Sequence, residues 1–438
     1  MGLVPCPLPC HTSTESKEES STSNSTSSLL SESSTFSSLS SQPSLPSVPS
    51  LTPSKSNQLV VLRSSSVHHC CIATLQSQSY ICTLALSGNF LYSGSSDGQI
   101  TAWSSTLSRP SNPQYNKVVA TVATPSTVKF LVVVGSGDDR NKLLFGAHQD
   151  HKIRVWKTNT NDTYEKLKCI ATLPTLKDRV TRFLCSKNYV QIGLHKNGTW
   201  EHHIDAVSAL AISNDGSFLY SVSWDRALKI WRTSDFKCME SVSNAHDDAI
   251  NAVILSSDGA FVYTGSADKK IKVWTWRKDK STSVKLVGTL EKHKSAVNAL
   301  AFSTDGSVLY SGACDRSVLV WERDGGADGG GGDMVVVGAL RGHTKAVLCL
   351  AVAADLLCSG SADYSVRVWR RLSSGLVGGD LNRSYCCLAV LEGHKRPVKC
   401  LTAALDNSDS DHSSDSYFVY SGSLDCDIKV WQIRVPLS

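Results

Sequence analysis

Residues 221–231 read SVSWDRALKIW, residues 264–274 read TGSADKKIKVW and residues 311–321 read SGACDRSVLVW. Four further segments take the same form: SGSSDGQITAW ending at Trp103, GAHQDHKIRVW at Trp156, SGSADYSVRVW at Trp369 and SGSLDCDIKVW at Trp431. Each carries an Asp six residues before its Trp: Asp97, Asp150, Asp225, Asp268, Asp315, Asp363 and Asp425. Small residues, an Asp turn and a strand closing on Trp make one structural unit, and seven copies in register mean a repeat architecture.

Upstream of the last five units stands His-x-x-(Ala or Pro)-(Val or Ile), at His203, His246, His293, His343 and His394. An alternating strand follows each His, then a turn such as NDGS or STDGS suited to a tight hairpin, then a second strand such as FVYTGS. Each unit is therefore a meander of strands apolar on both faces. Such a sheet cannot bury its surfaces alone, but seven of them in a ring can. The expected fold is all-β: a seven-bladed propeller over residues 66–438, the repeats ending at Trp103, Trp156, Trp231, Trp274, Trp321, Trp369 and Trp431.

Too few residues follow Trp431 for another strand, whereas HHCCIATLQS at residues 68–77 is strand-like and precedes the first repeat. That segment is expected to complete the last blade and tie the two ends of the ring together. Before it lies a tract dominated by Ser, Thr and Pro, residues 1–57, whose apolar residues are too sparse to offset ordering entropy; it reads as a disordered tail.

These motifs resemble the WD40 repeat family, in which Gly-His opens a repeat and Trp closes it. The Asp that usually follows the Trp is absent; Arg232, Glu322, Arg370 and Gln432 stand in its place. At finer grain, the CCIATL opening, the insertion YVQIGLHKNGTWEHHIDAVSAL and the Ser-rich tail are similar to plant JINGUBANG-type WD40 proteins. That resemblance implies a regulatory adaptor in growth and development, pollen germination among the processes.

Four residues before the Asp, six copies carry a hydroxyl: Ser93, Ser221, Thr264, Ser311, Ser359 and Ser421. Asp, His, hydroxyl and indole N–H form a chain of acceptors and donors that is favourable when every member is satisfied. The expected sets are His203, Ser221, Asp225 and Trp231; His246, Thr264, Asp268 and Trp274; His293, Ser311, Asp315 and Trp321; His343, Ser359, Asp363 and Trp369; His394, Ser421, Asp425 and Trp431. Ser, His and Asp together also suggest a hydrolase triad. A set recurring in blade after blade marks no single cleft, so it reads as structural, with no catalytic residue and no cofactor. Blades one and two depart from the pattern. Gln76 and Gln78 lie near the missing His of blade one, and in blade two Phe145 is read as replacing the hydroxyl.

Composition narrows the partners. The net charge of +5 permits a basic patch without demanding one, so nucleic acid is disfavoured. Fifteen cysteines without a C-x-x-C pair support neither a zinc site nor a disulfide framework and point to a reducing compartment, cytoplasm or nucleus. No apolar run reaches the ~18 residues of a membrane span. The Gly325–Gly332 run reads as a flexible linker and the acidic run from Asp406 to Asp415 as a solvated loop. The long insertion before blade three carries Arg179, Arg182, Tyr189, Lys196 and Trp200, and this mixture of charge and aromatics is typical of protein interfaces. It is the expected docking site on a monomeric propeller for transcription regulators or signalling complexes. A receptor subunit of a cullin-type ubiquitin ligase is the alternative, because Trp431 is followed by Arg434; an RNA-binding propeller is a third.

Overall fold

Val, Ile, Leu and Tyr alternate with small or polar residues through each repeat, and chains patterned this way pair into pleated sheets. The computed structural model describes residues 48–52, 67–104, 118–135, 141–161, 164–175, 189–192, 196–199, 202–276, 283–323, 334–372, 384–406 and 414–436. Every regular element among them is a strand, in seven four-stranded antiparallel sheets and one two-stranded hairpin. Blade four shows the plan: Ile250–Leu255, Phe261–Ser266, Ile271–Thr275 and Lys285–Leu290 pair in chain order. The first strand of each blade touches the first strand of the next, and Val398–Leu405 of blade seven touches Ile81–Ser87 of blade one. The ring is closed, with the first strands around its axis.

Blade seven is completed from the other end of the chain. Its sheet order runs Val398–Leu405, Ser414–Ser423, Asp427–Pro436 and then His68–Gln76. His69 stands opposite Ile433, Cys71 opposite Trp431 and Leu75 opposite Ile428. The closure expected from the sequence is the one found.

The core lies between blades, and this is what the repeated Trp is for. Trp231 packs in a cluster with Phe145 and Val155 of blade two, Trp274 with Tyr220 and Ile230 of blade three, and Trp369 with Tyr310 and Val320 of blade five. Each indole therefore fills the gap to the preceding blade. The second strands are sandwiched on both sides, so FLYSVS and FVYTGS are buried at every residue after the first.

One boundary needs correction. The sequence predicts a disordered tail over residues 1–57, whereas its residues 48–52 lie against blade five. Leu51 donates its amide to the Ala339 carbonyl at 2.9 Å, and the Ala339 amide donates to the Pro49 carbonyl at 2.9 Å. Leu51 packs against the cluster between blades five and six, and Val48 against that between blades four and five. Two apolar side chains suffice to seat a short segment, a signal diluted in the composition of a long Ser-rich tract. The rest of the tail lies outside the described residues, as does the Gly325–Gly332 run.

Candidate functional site

The Asp turn comes first, because it positions everything else on one face of the ring. The residue after each Asp is left-handed, with φ of 87° at Gly98, 66° at His151, 67° at Arg226, 74° at Lys269, 70° at Arg316, 75° at Tyr364 and 72° at Cys426. For the six that are not Gly this costs roughly 1 kcal/mol each. The Asp holds the turn by accepting the amide two residues on, seen at Gln99, Ala227, Lys270, Ser317, Ser365 and Asp427.

In the five blades from three to seven, the other carboxylate oxygen reaches the His loop. Asp225 accepts from His203 Nδ1 at 2.9 Å and from the Ile204 amide at 2.9 Å. The corresponding Nδ1 distances are 2.7 Å for His246 to Asp268, 2.8 Å for His293 to Asp315, 2.8 Å for His343 to Asp363 and 2.9 Å for His394 to Asp425. The carboxylate can only accept, so Nδ1 carries the proton and Nε2 must accept. The hydroxyl supplies that proton and in turn accepts the indole N–H. Ser221 lies 2.8 Å from His203 Nε2 and 2.8 Å from Trp231 Nε1, and Thr264 lies 2.7 Å from His246 and 2.8 Å from Trp274. Ser311, Ser359 and Ser421 join His293 to Trp321, His343 to Trp369 and His394 to Trp431 in the same way.

Burial sets the protonation. It pushes the His203 and His394 imidazoles below their ordinary range, against the pull of Asp225 and Asp425. Burial works against the Asp225 carboxylate too, but His203 and the amides of Ile204 and Ala227 hold it down at about 2. All five hydroxyls are fully buried, with 0% exposure at Ser221, Thr264, Ser311, Ser359 and Ser421. An oxygen wedged between an imidazole and an indole has no face open to a substrate. The constellation ties two loops and a strand together within each blade.

Blades one and two are built otherwise. In blade one Trp103 Nε1 still donates to Ser93 at 2.8 Å, while Ser79 Oγ accepts from the Asp97 amide at 3.4 Å; Gln76 and Gln78 are both exposed. In blade two the hydroxyl position needs correction. The strand register pairs Gly146 with Arg154 as it pairs Ser221 with Lys229, so Gly146, not Phe145, stands where the hydroxyl would be. Phe145 points the other way, into the cluster between blades two and three. A Cβ at Gly146 would lie 2.8 Å from the Trp156 ring and 3.1 Å from His148 Nε2, so the indole and imidazole occupy the vacated space. Asp150 meets Arg154 through two bonds, 3.0 and 2.5 Å long. His148, hidden from a search for the repeating pattern because the other blades place a smaller residue there, is fully buried.

The Asp and His loops share one face, which exposes cationic and aromatic residues beside the acidic Asp247, Asp248, Glu291 and Glu392. His151, Arg226, Lys269, Arg316 and Tyr364 are exposed there. Three cation–aromatic pairs bridge neighbouring blades or loops: Lys129 over Trp224 at 4.4 Å, Lys345 over Tyr364 at 5.1 Å and Arg396 over Tyr80 at 5.8 Å. The long insertion lies in the sequence between Leu173, which ends the outer strand of blade two, and His203. Its described part is the hairpin pairing Tyr189 with Thr199 and Ile192 with Lys196. Arg179, Arg182 and Trp200 lie outside the described residues. Among those described, no cluster of His, Cys, Asp and Glu is arranged to hold a metal ion, and no helix is long and apolar enough to cross a membrane. On the opposite face a depression between blades five and six is lined by Asp305, Asp355 and Arg371 together with the apolar Val308, Val352 and Leu356.

The family model for the WD domain, G-beta repeat, matches residues 69–104, 195–232, 236–275, 284–322, 334–370 and 385–432, together more than half of the chain. The strands of blade two, Val128–Gly135 through Tyr164–Leu173, fall between the first two of these segments, in keeping with the departures at Gly146 and Arg154. The repeat, the ring and the matched segments agree, and the chain belongs to the WD40 repeat family.

Proposed function

We propose that the protein is a non-catalytic scaffold or regulatory adaptor that captures other proteins on the face carrying its His and Asp loops. The cation–aromatic pairs carry this reading. Lys129–Trp224, Lys345–Tyr364 and Arg396–Tyr80 place rigid rings and positive charge together at three points around the rim. Aromatic and Arg side chains supply most of the binding energy in protein interfaces, and the excess of cations suits partners with acidic segments. The sequence of the insertion before blade three adds Arg179, Arg182, Tyr189, Lys196 and Trp200, the same mixture of charge and aromatics. On the sequence resemblance to JINGUBANG-type proteins, we further propose that the adaptor acts in plant growth and development, pollen germination included, with transcription regulators or signalling complexes as partners in cytoplasm or nucleus. A ligase-receptor role rests on the spacing of Trp431 with Arg434 and of Trp274 with Arg277, without the Asp that should follow each Trp, and is the weaker reading.

A pull-down tests this. Replacing Arg179, Arg182 and Trp200 together by Ala should abolish partner capture, and Trp224→Ala should weaken it, while the circular dichroism of an intact propeller is retained. Undiminished capture by both variants places the docking site elsewhere. Capture of RNA with a steep loss in salt replaces the protein reading with a nucleic-acid one.

A further inference from the structure

The outer strands of propeller blades leave one edge without a neighbour, and such edges invite pairing with any extended chain. Blades four and five share the local sequence that makes this edge. Gly288 pairs with Val273 and precedes Thr289-Leu290, and Gly338 pairs with Val320 and precedes Ala339-Leu340. In blade four the edge is bare among the described residues: a Cβ at Gly288 would meet only Val273, at 4.0 Å, and Thr289 is exposed. In blade five a Cβ at Gly338 would clash with Leu51, whose Cδ2 would be 2.6 Å away, and Ala339 is fully buried. The difference is the segment Val48, Pro49, Ser50, Leu51 and Thr52.

That segment is held as a ligand is held. Its backbone pairs in parallel with the strand Met334–Leu340 through the two bonds to Ala339, and the Leu51 carbonyl accepts the Tyr385 amide of blade six at 3.0 Å. Arg341 donates to the Val48 carbonyl at 3.2 Å. Leu51 inserts over Gly338 into the cluster shared by blades five and six, while Pro49 and Ser50 remain exposed. Main-chain bonds supply affinity and one side-chain pocket supplies selectivity, which is how strand addition recognises peptides. Proline suits this register, since no bond here needs its missing N–H and its ring favours an extended chain. The sequence repeats the pattern, Pro-Ser-Leu occurring at residues 43–45 and 49–51.

We infer that the rim between blades five and six is a peptide-docking groove for short extended segments of the form Pro-x-Leu, occupied in cis by the protein's own residues 48–52. The groove rests on the scaffold reading but names a second surface and a ligand chemistry for it. A tethered segment competes at an effective concentration on the order of millimolar, so a partner peptide gains access when the tail is displaced.

The test uses the full chain and one probe, a fluorescein-labelled peptide with the sequence SVPSLTPS of residues 47–54. Replacing both leucines, Leu45→Asp with Leu51→Asp, should empty the groove of either cis copy. This opened chain should bind the peptide at least about tenfold more tightly than the natural chain, by the loss of the competing tether. A peptide with Asp in place of its Leu should not bind, Gly338→Val in the opened chain should abolish binding, and Gly288→Val should leave it unchanged. Independently, the Ala339 and Tyr385 amides should exchange hydrogen slowly in the natural chain and much faster in the opened one. Equal exchange in the two chains, no binding to the opened chain, or equal binding of the Asp peptide would overturn the groove. Because the peptide is assayed on purified protein, none of these results depends on partner capture by the face carrying the His and Asp loops.

Discussion

Blades four and two solve one packing problem with different chemistry. In blade four, Asp268, His246, Thr264 and Trp274 form an unbroken chain of neutral and charge-assisted hydrogen bonds. In blade two the Asp keeps its place, but Arg154 takes the role of His246 from the other side of the turn, and Gly146 takes the place of Thr264. Where blade four has Ser266, its hydroxyl 3.0 Å from the Asp248 carbonyl, blade two has His148, its Nδ1 3.3 Å from the Ser126 carbonyl. Trp156 and Trp274 nonetheless enter the gaps to blades one and three alike. The ring therefore requires the indole between blades and the Asp in its turn. The hydrogen-bonded His and hydroxyl are one way of stabilising that arrangement, and an ion pair is another.

Blade seven sharpens the comparison and should show the largest effect. It has the same network as blade four, in His394, Ser421, Asp425 and Trp431, but borrows its outer strand from residues 68–76. If the network alone held a blade, that strand would be dispensable. A protein beginning at residue 58 keeps every blade strand, loses among the described residues only the short segment on blade five, and should unfold cooperatively with a slightly lower Tm. One beginning at residue 78 exposes the edge Asp427–Pro436 and should aggregate. Soluble, cooperative unfolding of the shorter protein would mean that the network suffices.

Acid separates the two blades next. Burial, reinforced by the charge of Arg154, pushes the His148 imidazole down to about 4. Its folded value lies below its unfolded one, so between pH 6.5 and 4 the unfolded chain binds a proton that the folded chain refuses. Stability from this site is complete above pH 6.5 and declines toward pH 4, by about 3 kcal/mol in all. Asp268, held at about 2 by His246 against the effect of burial, loses its contribution only below the ordinary carboxylate range. Near pH 5, then, hydrogen exchange should rise in blade two while blade four stays protected. His148→Gln, which keeps a polar group near Ser126, should flatten the fall of Tm with pH in this window. An unchanged slope would show that His148 finds solvent when protonated.

The repeating parts of this molecule were legible and the singular parts were not. Trp and Asp at a fixed spacing identify seven blades because each blade needs the same turn and the same wedge. The strand at residues 68–76 was legible as the piece missing from an otherwise complete ring. A repeat pattern records what blades share and so passes over His148, whereas the residue four before Asp150 is Gly146 and not Phe145 by the sequence spacing itself, which the pairing of Gly146 with Arg154 bears out. Leu51 was lost in the composition of its neighbours. Lys129 and Trp224, which belong to the proposed interface, are distant in sequence, and only the ring brings blade two's first strand beside blade three's turn.

The smallest effect is the most discriminating, because sequence and structure order it differently. Asp268→Ala removes the acceptor for His246 Nδ1, for the Asp247 amide at 3.1 Å and for the Lys270 amide at 2.9 Å, and should cost roughly 1–3 kcal/mol. From the sequence, Asp150→Ala should cost less, since blade two has no His in the loop to strand. The structure supplies a different partner. Arg154 has a side chain only 9% exposed, and without Asp150 its guanidinium is left with a buried charge beside His148. The Asp150 side chain is 29% exposed, so water screens part of the pair and moderates the loss. The two single variants should thus fall within about 1 kcal/mol of each other in urea unfolding, inside the range for stranded polar groups. The double variant Asp150→Ala with Arg154→Met should recover most of the blade-two loss, because removing both charges leaves nothing unpaired. Should Asp150→Ala prove nearly silent and the double variant no better, the turn rather than the ion pair is what Asp150 supports, and blade two would be a loose blade instead of one held by different bonds.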